Sequence, residues 1–287
     1  MSRRDAPPHG EAADALPRHQ TKKRFGQHFL HDPGILKRIV EAISPQPGER
    51  LVEIGPGEGA LTFPLLRVAR RLTAIELDRD LIEPLRLRAS SIGDLEIVNA
   101  DVLNVDFGAL AHGQPLRVVG NLPYNISTPI LFHCLAHAAS IRDMHFMLQK
   151  EVVDRMAAAP GSKTYGRLSV MLQLRCTVEP LLRVPPGAFR PPPKVDSAVV
   201  RLEPLPAAAQ PQVDPRWLDV TVRAAFGQRR KTLSNALGAF ADAEIFRLAG
   251  VDARARAEQI EPAAFVALAA HLAARGAAPP AITGSST

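Results

Sequence analysis

Apolar positions alternate between two spacings along residues 33–204. In "PGILKRIVEAIS" (33–44) apolar residues recur every three or four positions, which predicts a helix with one buried face. Helical segments separate most of five short apolar runs, which are "RLVEIG", "RLTAIELD", "LEIVNAD", "LRVVGNLPY" and "MHFMLQK". Short strands that alternate with helices are typical of βαβ units. The pattern therefore predicts an α/β fold of the Rossmann-like type, with a mostly parallel, doubly wound sheet.

The last two apolar runs are arranged differently. "CTVEPLLRV" (176–184) and "VDSAVVRLEP" (195–204) have no long helix between them, which predicts antiparallel strands at the edge of the sheet. A Pro/Ala-rich stretch follows, and the remaining pattern is wholly helical. We predict a large domain over 21–207 and a small all-helical domain over 208–275. The basic segment 1–20 and the segment 276–287 are predicted to be disordered tails.

Composition and charge narrow the possible partners. The chain of 287 residues is 46% hydrophobic and 22% charged, as in ordinary globular proteins. A formal charge of +6 and a pI near 9.7 favour a polyanion such as nucleic acid, although an arginine-rich soluble surface explains them equally well. No run approaches the roughly 18 apolar residues of a membrane span, and the N-terminus lacks the apolar core of a secretory signal. A cytoplasmic protein is expected.

Metal and disulfide chemistry are not expected from the cysteines and histidines. Cys134 and Cys176 form no CxxC pair. His133 and His137 have the spacing of a metal-binding helix, but no third ligand lies near them in the sequence.

A glycine-rich loop follows the first strand of the predicted sheet. "VEIGPGEGALT" places Gly55, Gly57 and Gly59 between this strand and its helix, where bound ligands meet the carboxyl end of a doubly wound sheet. Glycine lets the backbone approach a ligand closely, although any tight strand–helix turn can also require it. Glu53 precedes the loop, and its charge disfavours a pyrophosphate and is compatible with a cation.

Carboxylates end the next two strands. Glu76 lies about twenty residues after the loop, where a carboxylate accepts hydrogen bonds from both hydroxyls of a ribose. Asp101 ends the third strand, placed to accept from an adenine amino group. Taken singly, each is better explained as a helix N-cap or a solvated turn residue. Together with the glycine loop, they fit S-adenosylmethionine.

The fourth strand ends in "GNLPY". The side-chain oxygen of Asn121 and the carbonyl of Leu122 can accept from the two N–H groups of an exocyclic amine, which favours a pyramidal nitrogen able to attack a methyl group. Pro123 stiffens the turn, and Tyr124 offers a ring face on which an extruded base can stack. The alternative is a turn that merely ends a strand.

These motifs resemble the ribosomal RNA adenine N6-dimethyltransferase family. The resemblance runs from about residue 20 to 270 and is carried by "KKRFGQHFL", "VEIGPGEGALT", "AIELD", "GNLPYNIST", "FMLQKEVVDRM", "YGRLSV", "PPPKVDSAVVRL" and "AFGQRRKTLSNAL". It implies a class I methyltransferase domain and a C-terminal helical domain that recognises RNA. It also implies the reaction of the small-subunit branch, which dimethylates two adjacent adenines of 16S rRNA and has a role in ribosome biogenesis.

The resemblance implies a set of site residues as well. Those expected to contact S-adenosyl-L-methionine are His28, Leu30, Gly55, Glu76, Asp101 and Asn121. Those expected to act on the target adenine are Asn121, Leu122, Tyr124 and Phe189, with Tyr124 and Phe189 on either side of the base. One residue departs from the family, because "GQHFL" has His28 where Asn is usual.

The expected partner is 16S rRNA in the immature small ribosomal subunit, bound by a monomer. Two basic clusters are predicted to bind this RNA, namely Lys22, Lys23 and Arg24, and Arg229, Arg230 and Lys231. Taken alone, each cluster is better explained as a solvated face.

Other functions remain open at this level. A resistance-type 23S rRNA dimethyltransferase shares the fold and the Asn-aromatic motif. A DNA adenine methyltransferase is disfavoured, since no target-recognition insertion is visible. A non-catalytic RNA-binding or assembly factor on the same fold is the alternative of a different class. Methyl transfer to small subunits rather than to large-subunit RNA distinguishes these possibilities.

Overall fold

The computed structural model describes residues 28–228, 230–238 and 240–275, and these contain nine strands and eleven helices. The strands are β1 (Phe29–Leu30), β2 (Arg50–Ile54), β3 (Arg71–Glu76), β4 (Asp94–Asn99), β5 (Leu116–Asn121), β6 (Ile141–Gln149), β7 (Cys176–Val184), β8 (Phe189–Arg190) and β9 (Ser197–Pro204). The helices are α1 (Pro33–Ile43), α2 (Thr62–Ala69), α3 (Ile82–Ala89), α4 (Phe107–Ala111), α5 (Ser127–Ala136), α6 (Lys150–Met156), α7 (Arg167–Gln173), α8 (Pro215–Gly227), α9 (Leu233–Ala236), α10 (Ala243–Ala249) and α11 (Pro262–Ala274).

Seven strands form one sheet in the order β4-β3-β2-β5-β6-β9-β7. The first five are parallel, and β9 runs antiparallel to both β6 and β7, so the predicted fold class and the antiparallel edge are confirmed. From β2 the chain adds β3 and β4 on one side, and then returns to add β5 and β6 on the other. In such sheets a crevice opens at the carboxyl ends of the two strands where the direction changes, here β2 and β5.

Both faces of the sheet are covered. Successive strand residues point to opposite faces, so Val52 and Val118 enter one core while Leu51 and Val119 enter the other. Helices α4, α5 and α6 cover the first face, and α1, α2 and α3 cover the second. This explains why the central strands are continuous apolar runs rather than alternating ones.

A short N-terminal segment lies at the carboxyl end of the sheet. Strand β1 pairs antiparallel with β8, with Leu30 opposite Phe189, and the amide of His31 donates to the carbonyl of Ala188 at 2.9 Å. Helix α1 then begins at once, with Pro33 in its first turn and Asp32 accepting from the amide of Ile35 at 2.9 Å. The cap and the two-stranded pairing fix where residues 28–31 lie.

The amino end of the sheet is closed by a buried ion-pair network. Arg117 donates from Nε to Asp143 at 2.8 Å and from Nη1 to the carbonyl of Ile43 at 2.7 Å and to Glu49 at 3.2 Å. This guanidinium ties the end of α1 to β5 and β6.

The C-terminal helices share a core with residues that precede them. Trp217, Phe246 and Phe265 pack in one cluster with Tyr165 and Val170. The hydroxyl of Tyr165 donates to the carbonyl of Ile260 at 2.8 Å. The domain boundary near residue 207 stays a prediction, and the predicted tails lie outside the described residues. In the described ranges, every helix is too short or too polar to cross a bilayer.

Candidate active site

A cleft of about 1160 Å³ lies at the carboxyl end of the parallel strands. Its walls come from residues 28–31 and from the loops after β2, β3, β4 and β5, because the last residues of parallel strands meet at one edge of the sheet. The sequence-predicted site residues that line it are His28, Leu30, Gly55, Glu76, Asp101, Asn121, Leu122 and Tyr124. Phe189 does not line it.

The loop after β2 needs its glycines for conformation and for space. Gly57 and Gly59 have φ of 56° and 84°, in the left-handed region that glycine tolerates best. A Cβ on Gly59 would lie 2.2 Å from the ring of Phe63, so a larger residue would require that ring to move. Gly55 also has positive φ and donates its amide to the carbonyl of Ile75 at 3.0 Å. At Gly55 and Gly57, which both line the cleft, the loop therefore presents backbone to a ligand.

Two backbone amides orient the Glu76 carboxylate. Gly57 donates to Oε2 at 3.2 Å and Asp78 donates to Oε1 at 2.8 Å. Burial raises the pKa of Glu76, and these hydrogen bonds oppose the rise. A carboxylate oxygen can accept more than one hydrogen bond, so both oxygens keep capacity for a ligand's hydroxyl groups.

Asp101 lines the cleft and also caps a short turn. Its Oδ1 accepts from the amide of Leu103 at 3.0 Å, at the start of the 3₁₀ turn over Val102–Asn104. The residue is exposed, so its second oxygen is accessible. Capping and ligand binding are compatible here.

Glu53 is a buried carboxylate on the floor of the cleft. It is 2% exposed, and its Oε2 has no hydrogen-bond partner among the described residues. Burial raises its pKa to about 7, with the charge of Glu76 adding to the rise and the nearby hydroxyl of Thr62 opposing it. From the sequence, the charge of Glu53 disfavours a pyrophosphate and is compatible with a cation, but Glu53 was not among the predicted site residues. The signal that was missed is a lone acid inside an apolar strand, since a buried, unpartnered charge is costly without a function.

The amide of Asn121 is fixed in one orientation. Its Nδ2 donates to the backbone carbonyl of His28 at 3.1 Å. A carbonyl can only accept, so the NH₂ group must face His28 and Oδ1 is left as the available acceptor. The amide of Leu122 donates to Met147 at 3.2 Å, whereas its carbonyl accepts no hydrogen bond from the described residues. Two acceptors on consecutive residues therefore remain available at the end of β5.

Gly120 is required by the close packing of β5 against β2. It pairs with Phe146 within β5 and β6, and pairing continues through Asn121. A Cβ at this position would lie 2.7 Å from the carbonyl oxygen of Ile54. The absent side chain lets β5 approach β2 closely, at the point where the cleft begins.

Tyr124 has its ring at the cleft and its hydroxyl anchored. The hydroxyl lies 2.7 Å from Oγ of Ser197, a fully buried residue at the start of β9. Burial raises the pKa of Tyr124, and this hydrogen bond opposes the rise. The ring nearest to it among the described residues is that of His28, with centroids 5.9 Å apart and planes inclined by 33°.

Phe189 is not beside Tyr124 in this structure. It is 2% exposed, pairs with Leu30 through β1 and β8, and packs in the core that contains Ala188 and Val199. Phe189 is buried in this core and does not line the cleft. The predicted sandwich of the base between Tyr124 and Phe189 is absent from this arrangement, and the role assigned to Phe189 stays a prediction.

The predicted RNA-binding residues lie apart from the cleft or outside the described residues. Arg230 and Lys231 are exposed in the turn between α8 and α9, away from the cleft lining. The others, Lys22, Lys23, Arg24 and Arg229, are outside the described ranges.

Known proteins match this chain over most of its length. The family described as "Ribosomal RNA adenine dimethylase" matches residues 18–274. A "Ribosomal RNA small subunit methyltransferase A" of Xanthomonas campestris pv. campestris (strain B100) is 63% identical over 248 residues, covering 86% of this chain and 95% of that protein. The protein of the same name from Xanthomonas euvesicatoria pv. vesicatoria (strain 85-10) is 64% identical over 249 residues, with the same coverage.

Solved structures agree with the fold. A dimethyladenosine transferase from Plasmodium falciparum has a TM-score of 0.75 at 26% identity, covering 87% of this chain and 98% of that one. The 23S rRNA methyltransferase ErmE has a TM-score of 0.66 at 28% identity, covering 85% and 99%.

Proposed function

The chain belongs to the ribosomal RNA adenine dimethylase family, and on that premise we propose how its cleft carries out the family's reaction. It is an enzyme, an rRNA adenine methyltransferase that dimethylates adenine in 16S rRNA with a methyl donor of the S-adenosylmethionine type. The donor we propose is S-adenosyl-L-methionine. The proposed targets are the N6 amino groups of two adjacent adenines.

The residues present in the cleft fit this donor. Oε2 of Glu53 has no hydrogen-bond partner among the described residues, so it can interact with a positively charged ligand. Glu76 is oriented by Gly57 and Asp78 to accept from the two ribose hydroxyls. Asp101 is exposed and lines the cleft, which supports its proposed role as an acceptor for an adenine amino group, and the apolar side chain of Leu30 forms part of the wall.

When bound, the donor supplies a methyl group made electrophilic by a sulfonium. Asn121 and Leu122 prepare the nucleophile, because Oδ1 and the carbonyl accept from the two N–H groups of the adenine amine. These hydrogen bonds hold the amine so that its lone pair points at the methyl group and is less delocalised into the ring. Transfer would form the N–C bond as the donor's S–CH₃ bond breaks, with the electron pair of that bond remaining on sulfur as a neutral thioether, and the proton released from nitrogen would pass to solvent. The mechanism needs no general base.

The same cradle allows a second transfer. After one methylation the nitrogen keeps a single N–H, which one of the two acceptors can hold. The other acceptor is then unoccupied, next to the new methyl group. The site is therefore compatible with dimethylation, because the second transfer needs only one of the two acceptors.

The proposed partner is the immature small ribosomal subunit, bound by a monomer in the cytoplasm. Arg230 and Lys231 support RNA binding, because both are exposed cations on a short turn. Phosphate contacts of this kind position a folded RNA without reading its sequence. A role in ribosome biogenesis is part of this proposal.

The fixed orientation of the Asn121 amide is the observation that carries the proposed mechanism. RNA binding alone does not require two acceptors without partners on consecutive residues at the end of a buried strand, so their presence favours an enzyme over a non-catalytic RNA-binding protein. The rival 23S activity shares the fold, as the ErmE likeness indicates. The 63% identity to a small-subunit methyltransferase favours the 16S substrate.

The test is transfer of labelled methyl groups from S-adenosyl-L-methionine. Small subunits that lack the modification should accept four methyl groups for each subunit, two on each of two adenines. Protein-free large-subunit RNA should accept none. Labelling of the large-subunit RNA in place of the small subunit would establish the 23S alternative, and labelling of neither would contradict the proposal.

A further inference from the structure

An arginine of α3 reaches across to the glycine loop after β2. Arg88 is exposed and lines the cleft, and its Nη1 donates to the backbone carbonyl of Glu58 at 2.9 Å. Its guanidinium carbon lies 4.2 Å from the centroid of the Phe63 ring, within the range of a cation–π contact. We propose that Arg88 is a positioning residue for donor binding, because it holds the glycine loop in the shape that the donor requires. This inference rests on the proposed function.

The glycine loop needs support from outside its own segment. Residues 55–59 include three glycines, all with positive φ. Glycine has the most conformations to lose when a chain becomes ordered, so a loop of this composition is costly to hold in one shape. The amide of Gly59 donates to the carbonyl of Pro56 at 2.9 Å, which gives local support. Arg88 adds a contact from another helix, 30 positions from Glu58 in the sequence.

The ring of Phe63 connects the loop to Arg88. The ring is buried, and it lies so close to Gly59 that a Cβ on that glycine would be 2.2 Å from it. The guanidinium of Arg88 lies over the same ring. A planar guanidinium can stack through its face and donate hydrogen bonds from its edge at the same time. The two contacts of Arg88 therefore fix the Glu58 carbonyl relative to α2, the helix that carries Phe63.

The loop also orients the carboxylate proposed to bind the ribose. The amide of Gly57, the residue before Glu58, donates to Oε2 of Glu76 at 3.2 Å. Without Arg88 the backbone of both loop residues can rotate, and part of the population loses this hydrogen bond. The donor binds only the fraction of molecules that has the competent loop, so the apparent affinity falls with that fraction.

Three substitutions separate the contacts of Arg88 from its charge. Arg88→Ala removes the hydrogen bond and the stacking. Arg88→Lys keeps the charge, but an ammonium group cannot stack flat on Phe63 and donate to Glu58 at once. Arg86→Ala is the matched control, because it removes another exposed arginine of α3, one that pairs with Glu83 at 2.9 Å.

The first measurement is the donor Kd by calorimetry without RNA. Arg88→Ala should raise this Kd roughly 10-fold, since a hydrogen bond from a charged group and a cation–π contact are both lost. Arg88→Lys should raise it about 3-fold or more, and Arg86→Ala should leave it unchanged. The kcat at saturating donor and small subunits should stay within about 2-fold of the wild type, because bound donor selects the competent loop.

A double-variant cycle shows whether Arg88 acts through Glu76. Glu76→Ala removes the acceptor that the loop orients, so adding Arg88→Ala to it should raise the donor Kd by at most about 3-fold more. The full effect of Arg88→Ala in both backgrounds would show that Arg88 acts on the donor independently, which overturns the positioning role. A lower free energy of unfolding with an unchanged donor Kd would show a purely structural role.

Hydrogen exchange of the loop amides tests the same contacts in the absence of donor. In the free enzyme, Arg88→Ala should speed the exchange of the Gly57 and Gly59 amides, measured by NMR, relative to the wild type and Arg86→Ala. Unchanged exchange would overturn the proposal, and so would wild-type donor affinity in Arg88→Lys, since charge alone would then suffice. A wild-type enzyme that binds no donor would contradict the proposed function, whereas the exchange result would still show whether Arg88 holds the loop.

Discussion

The two ends of the same sheet treat buried charge in opposite ways. At the amino end, Asp143 is paired with Arg117 through two hydrogen bonds, at 2.8 and 2.9 Å. At the carboxyl end, Glu53 is equally buried, and its Oε2 has no partner among the described residues. The strands β2, β5 and β6 join the two ends over a few residues. One end is built for stability, and the other keeps acceptors free for a ligand.

The pKa shifts record this difference. Burial by itself would raise the pKa of Asp143, but the hydrogen bonds and charge of Arg117 outweigh it and hold that pKa below its usual value. Burial raises the pKa of Glu53 to about 7, and the nearby hydroxyl of Thr62 is too weak to reverse the rise. A buried carboxylate without a cation destabilises the fold at neutral pH. The cleft therefore keeps Glu53 at a cost in stability, which a cationic ligand can offset.

The largest effect is expected from breaking the paired end. Asp143→Ala leaves the guanidinium of Arg117 buried without its main partner, and should lower the free energy of unfolding by about 3–5 kcal/mol. Urea denaturation measures this. Asp94→Ala is the control, since it removes an exposed partner of Arg71 and should cost less than about 1 kcal/mol. Equal losses in the two variants would show that the buried network contributes no more to the free energy of unfolding than the exposed ion pair does.

Asn121→Ala should impair methyl transfer, which takes place at the carboxyl end of the sheet. It should leave intact the stability that comes from the amino end. Loss of one transition-state acceptor typically lowers the rate by about 100- to 1000-fold, or roughly 3–4 kcal/mol. The free energy of unfolding should change far less than in Asp143→Ala, because the Asn121 amide makes a single hydrogen bond. The measurement is kcat with saturating donor and small subunits. Turnover near that of the wild type would contradict the proposed role of the amide.

The pH dependence of stability should have opposite signs at the two ends. The folded pKa of Glu53 is about 7 and its ordinary value is 4.5, so the folded protein keeps a proton that the unfolded chain releases between these values. Stability should fall by roughly 3 kcal/mol as the pH rises through this window, and Glu53→Gln should remove that loss. Asp143 has a lowered pKa, so its contribution is present above its ordinary value of 3.8 and is lost as the pH falls through its folded pKa.

The measurement is the difference in free energy of unfolding between wild type and Glu53→Gln from pH 4.5 to 8. Taking the difference cancels the other titrating groups. A difference that is flat with pH would show that Glu53 already has a partner. Saturating donor should reduce the difference, because a bound cation favours the ionised carboxylate.

Glu76→Ala should weaken donor binding rather than the chemical step. Hydrogen bonds to a charged group contribute about 1.5–3 kcal/mol, which corresponds to roughly 10- to 100-fold in the donor Kd. Calorimetry without RNA measures it, with Glu41→Ala on the exposed face of α1 as the control. Unchanged affinity would remove Glu76 from the donor site.

The helices, the strands and the residues at the strand ends could be predicted from the sequence, because each depends on residues that are close together in the chain. Glu76, Asp101 and Asn121 each follow an apolar run, and parallel topology alone brings them to one edge. The partners that set their geometry are distant in sequence. Ser197 lies 73 positions from Tyr124, and Pro191 lies 163 from His28, so no periodicity connects them.

Very short strands and helices could not be predicted from the sequence either. Strands β1 and β8 have two residues each, too few to show an alternating pattern, yet their pairing buries Phe189. Helix α4, with five residues, lacks the length for a helical repeat. The buried position of Phe189 depends on that pairing, which the sequence pattern does not show. The prediction that Phe189 contacts the target base therefore came from the resemblance alone.

The smallest expected effect concerns the turn between α8 and α9, whose residues Arg230 and Lys231 do not line the cleft. Arg230→Glu with Lys231→Glu should lower affinity for the small subunit and flatten its dependence on salt, by about one unit of log–log slope for each phosphate that the protein no longer neutralises. Donor affinity should not change, because neither residue lines the cleft. Lys37→Glu with Arg38→Glu changes the net charge equally at an exposed face of α1, and is the control. A general loss of positive charge would flatten the slope in both double variants, whereas a defined RNA interaction would flatten it only at the turn. If the slope and affinity of Arg230→Glu with Lys231→Glu equal those of the wild type, the turn is a solvated surface, and the RNA must be positioned by other residues.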